Sequence, residues 1–127
     1  MDTALDSDTR VVIEDFCQAW NRGDAAAVAQ TYAADGRLIN PLGDSYDGRE
    51  AVRDGYAEYF SGMLAGSTTE ISIDEIRRLA DGLFVVDGTQ LVSGAPLPPL
   101  HITVVVRESN GKAEIVEFRP YAFLVVP

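Results

Sequence analysis

Apolar residues recur at helical spacing through the first half of this chain and alternate with polar ones through the second. Val12, Ile13, Phe16, Cys17 and Trp20 form one stripe of a first helix, which Ser7 or Asp8 can cap and Gly23 ends. Asp24 caps a second, alanine-rich helix with Val28 and Tyr32 one turn apart, stopped at Asp35-Gly36. A short strand from Arg37 to Asn40 ends at Pro41. Beyond the loop from Gly43 to Gly48, a third helix runs from Arg49 to about Leu64, with Val52, Tyr56, Phe60 and Met63 or Leu64 on one side. Glu50 sits near its positive end.

The runs 68–80, 83–93, 100–109 and 113–126 are rich in β-branched and aromatic residues. They are separated by Asp81-Gly82, a loop from Gly94 to Pro99, and Asn110-Gly111. Asp-Gly and Asn-Gly are strong hairpin signals because they tolerate positive φ, so the pattern predicts a meander. Alternation lapses around Asp74 to Ile76, which predicts a bulge that curves the sheet. Three N-terminal helices followed by a curved antiparallel sheet make an α+β fold, with the helices on the concave face. There are no internal repeats, and residues 1–127 read as one domain.

Composition narrows the function. With 127 residues, 46% of them hydrophobic, the chain can bury a core of its own. A formal charge of −10 without a basic cluster opposes nucleic-acid binding. No apolar run is long enough to span a bilayer, and Met1 to Asp6 has neither the basic nor the apolar region of a secretory signal. The single cysteine, Cys17, fits a reducing cytoplasm and lies on an apolar helix face as an inert thiol. One His and one Cys offer no transition-metal site, and no phosphate loop or nucleophile elbow is present. No metal or cofactor is expected.

Trp20-Asn21-Arg22-Gly23-Asp24, Tyr32-Ala33-Ala34-Asp35, the strand ending Asn40-Pro41, and Gly48-Arg49-Glu50 resemble the nuclear-transport-factor-two-like superfamily. Within it the chain resembles the ketosteroid-isomerase and SnoaL-like (polyketide cyclase) branches, including the SgcJ-like group linked to enediyne pathways. The resemblance implies a cone-shaped fold with a pocket. In the isomerases the residue before the proline is the aspartate that moves the substrate proton, and here it is Asn40, which has no basic form. The positions of the two oxyanion donors align with Phe16 and Val104, neither of which can donate. The resemblance therefore implies the pocket without the isomerase chemistry.

Tyr32 and Tyr56 match tyrosines that line the isomerase cavity, while Trp20 and Phe60 would close its apolar wall. The alternative is that both tyrosines are core residues with backbone partners. Asn40 either binds a ligand carbonyl at the cavity floor or caps a loop. If Asn40 and Val104 point inward, strand parity also turns Phe84, Val86, Gly88, Gln90, Val92, Ile102, Val106, Phe118, Pro120 and Ala122 inward. Gln90 is then a polar pocket residue or a rim residue.

Leu91, Arg119, Tyr121 and Phe123 turn outward as an apolar, aromatic patch that fits a homodimer joined through convex sheet faces. His101 also points outward, although a one-residue slip would bring it into the cavity as an alternative catalytic residue. The reading favoured is a small-molecule pocket protein that binds an apolar polycyclic or polyketide-like ligand. The alternative is a SnoaL-like cyclase or isomerase of secondary metabolism.

Overall fold

A computed structural model describes residues 3–127, with side chains from Ser7 onward. Three helices, α1 (Thr3–Asn21), α2 (Ala25–Gln30) and α3 (Arg49–Phe60), precede or interrupt six strands. These are β1 (Tyr32–Ile39), β2 (Ser45–Asp47), β3 (Thr68–Ala80), β4 (Leu83–Ser93), β5 (Leu100–Ser109) and β6 (Lys112–Ala122). They form one curved, open sheet in the order β2-β1-β6-β5-β4-β3, with the expected meander from β3 to β6. Among the described residues no helix is long and apolar enough to cross a membrane.

One expectation fails at the centre of the sheet, which is not wholly antiparallel. β1 joins β6 in parallel, with Tyr32 opposite Ile115 and Leu38 opposite Phe118, and β2 extends β1 on its outer edge. The same pairing shortens α2. Thr31 Oγ1 donates to the Val28 carbonyl at 2.6 Å, and the Thr31 carbonyl accepts from Ile115 N at 2.8 Å. Tyr32 is thereby drawn into the sheet instead of closing a helix. Asp24 caps α2 as expected, its Oδ1 accepting from Ala27 N at 3.0 Å.

Other boundaries move for local reasons. Ser7 and Asp8 lie within α1, since nothing between Thr3 and Asp8 breaks the helix. α3 stops at Phe60, where Ser61 and Gly62 open a turn that still leaves Leu64 buried. β6 ends at Ala122 because its partner Leu100 begins β5, and no strand remains for residues 123–126.

The predicted bulge is present, with Asp74 left out of the β3–β4 ladder between the pairs Ile73–Gly88 and Glu75–Asp87. Gly88 is required opposite it, because any Cβ there would collide with the Ser72 carbonyl. At the β5–β6 turn Asn110 and Gly111 both adopt positive φ, 54° and 74°.

The core lies between the concave sheet face and the helices. Phe16 and Val12 of α1 and Val52 of α3 meet Val86, Val104, Val106, Ile115 and Phe118, with the Phe16 and Phe118 rings stacked at 4.8 Å.

Candidate functional site

Where α1 and α3 diverge from the sheet, the core opens into an apolar cavity of about 240 Å³. Trp20 of α1 and Tyr56 and Tyr59 of α3 form one wall. Leu38, Gln90, Val92, Leu100, Phe118 and Pro120 of the sheet form the other. Three connections supply the mouth: Pro41 and Leu42 after β1, Met63 and Leu64 after α3, and Leu97 between β4 and β5. Leu42 and Met63 are 87% and 56% exposed, so the cavity opens between them. Depressions of about 450 and 560 Å³ elsewhere are surface grooves lined largely by charged and small side chains.

Nearly every polar group on this wall already has a protein partner. Trp20 Nε1 donates to Ser67 Oγ at 3.0 Å, and that hydroxyl donates to the Leu64 carbonyl at 2.7 Å, which ties the turn after α3 to α1. Asn40 Nδ2 donates to Tyr59 Oη at 2.9 Å and to Asp44 Oδ2 at 3.2 Å. Its Oδ1 accepts from Leu42 N at 3.0 Å and Asp44 N at 2.9 Å. The amide is therefore saturated as the organiser of the 40–44 turn: of the two readings of Asn40, it caps the loop and is not a free carbonyl-binding group at the cavity floor. Strand pairing carries Leu38 inward, and the chain then turns at Pro41 and folds the Asn40 side chain back onto its own loop.

Tyr59 Oη donates in turn to Tyr46 Oη at 3.0 Å. Burial raises the Tyr32 and Tyr56 hydroxyls. Tyr32 Oη is fully buried with no hydrogen-bond partner among the described residues. Gln90, only 1% exposed, donates from Nε2 to Thr69 Oγ1 at 3.0 Å.

Of the candidate pocket residues, Trp20, Asn40, Tyr56, Gln90 and Phe118 meet at the cavity. Phe16, Tyr32 and Val104 lie behind its lining in the solid core. Phe60 packs behind Trp20 and Tyr56, at 5.6 and 5.7 Å between ring centres. Phe84 is buried opposite Val106, toward the far end of β4 from Gln90.

His101 faces away from the cavity, its ring 4.9 Å from Tyr121 and 5.8 Å from Phe123. Leu91, Tyr121 and Phe123 are 42%, 45% and 51% exposed, and Arg119 beside them is bonded to Glu117 at 2.5 Å. Cys17, outside the cavity lining, is held protonated by burial, which pushes its thiol up to about 11.

Tyr59 escaped the sequence reading although it lies three residues from Tyr56, a spacing that puts both on one helix face. Leu42 and Leu97 carried no comparable signal, because both belong to loops without periodicity. Among the described residues no group of His, Cys, Asp or Glu side chains is arranged to hold a metal.

The comparisons agree with this architecture. A family model for the SnoaL-like domain matches residues 13–113. No curated protein matches the chain. A domain of unknown function with a cystatin-like fold from Nostoc punctiforme superposes with a TM-score of 0.87 at 20% identity, covering 99% of this chain and 82% of that one. An NTF-2-like protein of unknown function from Shewanella oneidensis gives 0.79 at 21% identity over 91% and 98%. A ketosteroid isomerase-like protein from Erwinia carotovora atroseptica gives 0.69 at 19% over 91% and 93%. At these identities the structural neighbours establish the fold. The chain belongs to the SnoaL-like domain family, and it shares its fold with the NTF-2-like and ketosteroid isomerase-like neighbours.

Proposed function

We propose that this protein binds an apolar, ring-bearing small molecule in the cavity between α1, α3 and the concave sheet face, and acts by holding it. The observation that carries this reading is the make-up of the wall. Aromatic and aliphatic side chains enclose the space, and among the described residues lining it there is no Asp, Glu, His or Lys to act as a general base. The isomerase base position is Asn40, whose amide is consumed by its own loop. His101 lies on the opposite face of the sheet.

Size refines the ligand. An apolar cavity of about 150 Å³ admits benzene, so about 240 Å³ encloses one or two fused rings. A polycyclic or polyketide-like molecule would seat one end inside and leave the rest against Leu42 and Met63 at the mouth of the cone. A cyclase or isomerase acting on such a compound would need a substrate proton acidic enough to leave without a protein base. The binding role suits a cytoplasmic accessory protein of secondary metabolism and needs no cofactor. The convex patch of Leu91, Arg119, Tyr121 and Phe123 is proposed as the interface of a homodimer.

Trp20 is the only tryptophan and lines the cavity, so it reports occupancy. Titration with benzene- to naphthalene-sized aromatics is expected to shift or quench its emission saturably. An emission spectrum unmoved by saturating probe would refute the binding reading.

A further inference from the structure

The cavity wall carries a polar side chain, Gln90, whose bonding capacity is unfilled, and its orientation is set from outside the cavity. Thr69 Oγ1 donates its single proton to the Leu91 carbonyl at 3.1 Å. It can therefore only accept from Gln90, and it does so from Nε2 at 3.0 Å. Both backbones are fixed by the β3–β4 ladder, in which Thr69 pairs with Val92 and Gln90 with Ile71. The Gln90 amide is thus held with its nitrogen toward Thr69 and its Oε1 turned away.

No hydrogen bond among the described residues reaches that oxygen, and three donors of the cavity wall are committed elsewhere. Trp20 Nε1 goes to Ser67, Asn40 Nδ2 to Tyr59 and Asp44, and Tyr59 Oη to Tyr46. Covering a buried acceptor with an apolar group or with another acceptor is costly, so a ligand that donates to it gains selectively.

We propose that the ligand places a hydroxyl or N–H against Gln90 Oε1, so that the cavity selects ring compounds with a hydrogen-bond donor at their leading end. Phenols, naphthols and indole-type heterocycles belong to this class; ethers, ketones and bare hydrocarbons do not. The inference rests on the cavity being a ligand site and adds the chemistry of the group that enters first. Gln90 is the specificity residue, and Thr69 positions it.

The test is calorimetric titration of the full chain with 2-naphthol, its apolar isostere 2-methylnaphthalene, and quinoline, which accepts but cannot donate. The native protein is expected to bind 2-naphthol more tightly than quinoline. Gln90→Leu is expected to lower the naphthol-to-methylnaphthalene affinity ratio by about tenfold or more, the weight of one buried hydrogen bond.

Thr69→Val lies outside the cavity lining and frees the amide to turn over, so it is expected to raise quinoline relative to naphthol. It also provides the readout if Gln90→Leu does not fold. Ratios unchanged in both variants, with all three probes still bound, would overturn the donor assignment and leave the cavity a ligand site. Failure of every probe to bind the native chain would overturn both readings.

Discussion

At the end of β1 the Asn40 side chain makes four hydrogen bonds, two given and two received, and only an amide can do both at once. Asn40→Ala removes all four from a half-exposed turn and is expected to cost about 1–2 kcal/mol by urea unfolding. Asn40→Asp keeps the two acceptors but loses the bonds given to Tyr59 and Asp44, and sets a second carboxyl beside Asp44. The Asp44 charge acts to raise its folded-state pKa against the two backbone N–H groups that favour the carboxylate, and the like charge is expected to win. The variant's penalty should therefore be smaller at about pH 4, where more of the new carboxyl is protonated, and grow as pH rises through the folded pKa. Urea midpoints at about pH 4 and pH 7, each against the native chain, check this; a penalty independent of pH refutes it.

The parallel β1–β6 pair is the element least supported by local sequence, and three arginines brace it from the side. Arg49 Nε and Nη2 donate to the Tyr32 carbonyl at 3.0 and 2.8 Å, and Nη2 also reaches Glu114 at 3.2 Å. The Gly48-Arg49-Glu50 motif thus pins α3 to the irregular stretch of β1. Across the pair, Arg37 stands opposite Glu117 and bonds it at 2.6 Å, while Arg119 holds the other carboxylate oxygen. Burial acts to raise the Glu117 carboxyl, but the hydrogen bonds from Arg37 and Arg119 outweigh it and set it below its ordinary value. The stability from this lowered pKa is fully present above the ordinary carboxylate range and lost as pH falls through the folded pKa. Glu117→Gln is expected to flatten that part of the acid limb by about 1 kcal/mol or less, given partial exposure. An unchanged slope of urea midpoint against pH in the variant would show that the clamp contributes nothing.

For the molecule as a whole, the two sheet faces have separate tasks. The concave face carries core and cavity. The convex face presents His101 against Tyr121 and Phe123, with His101 Nδ1 buried and unpartnered among the described residues. On the proposed dimer, Tyr121→Asp buries a charge at the centre of the patch and is expected to give monomer. Sedimentation at micromolar concentration checks this, and a native chain already monomeric there would refute the interface. The variant should keep its Trp20 response to aromatic probes, since Tyr121 is on the face opposite the cavity.

The spans of β3, β4 and β5, the Asp74 bulge and the inward facing of Gln90, Phe118 and Pro120 were all legible in the sequence. Each depends on period-two alternation or on turn residues within a few positions, and such rules operate before distant segments meet. Which inward residues border empty space and which are packed solid was not legible. Trp20 and Phe16 share one helical stripe, yet only Trp20 faces the cavity, because the helices and sheet diverge at that end. The parallel β1–β6 pairing, the shortening of α2, the capture of Asn40 by its own turn and the orientation of Gln90 by Thr69 were likewise decided by tertiary structure. Each joins groups far apart in sequence, or turns a side chain according to what already occupies its neighbour's proton, and periodicity carries no record of either.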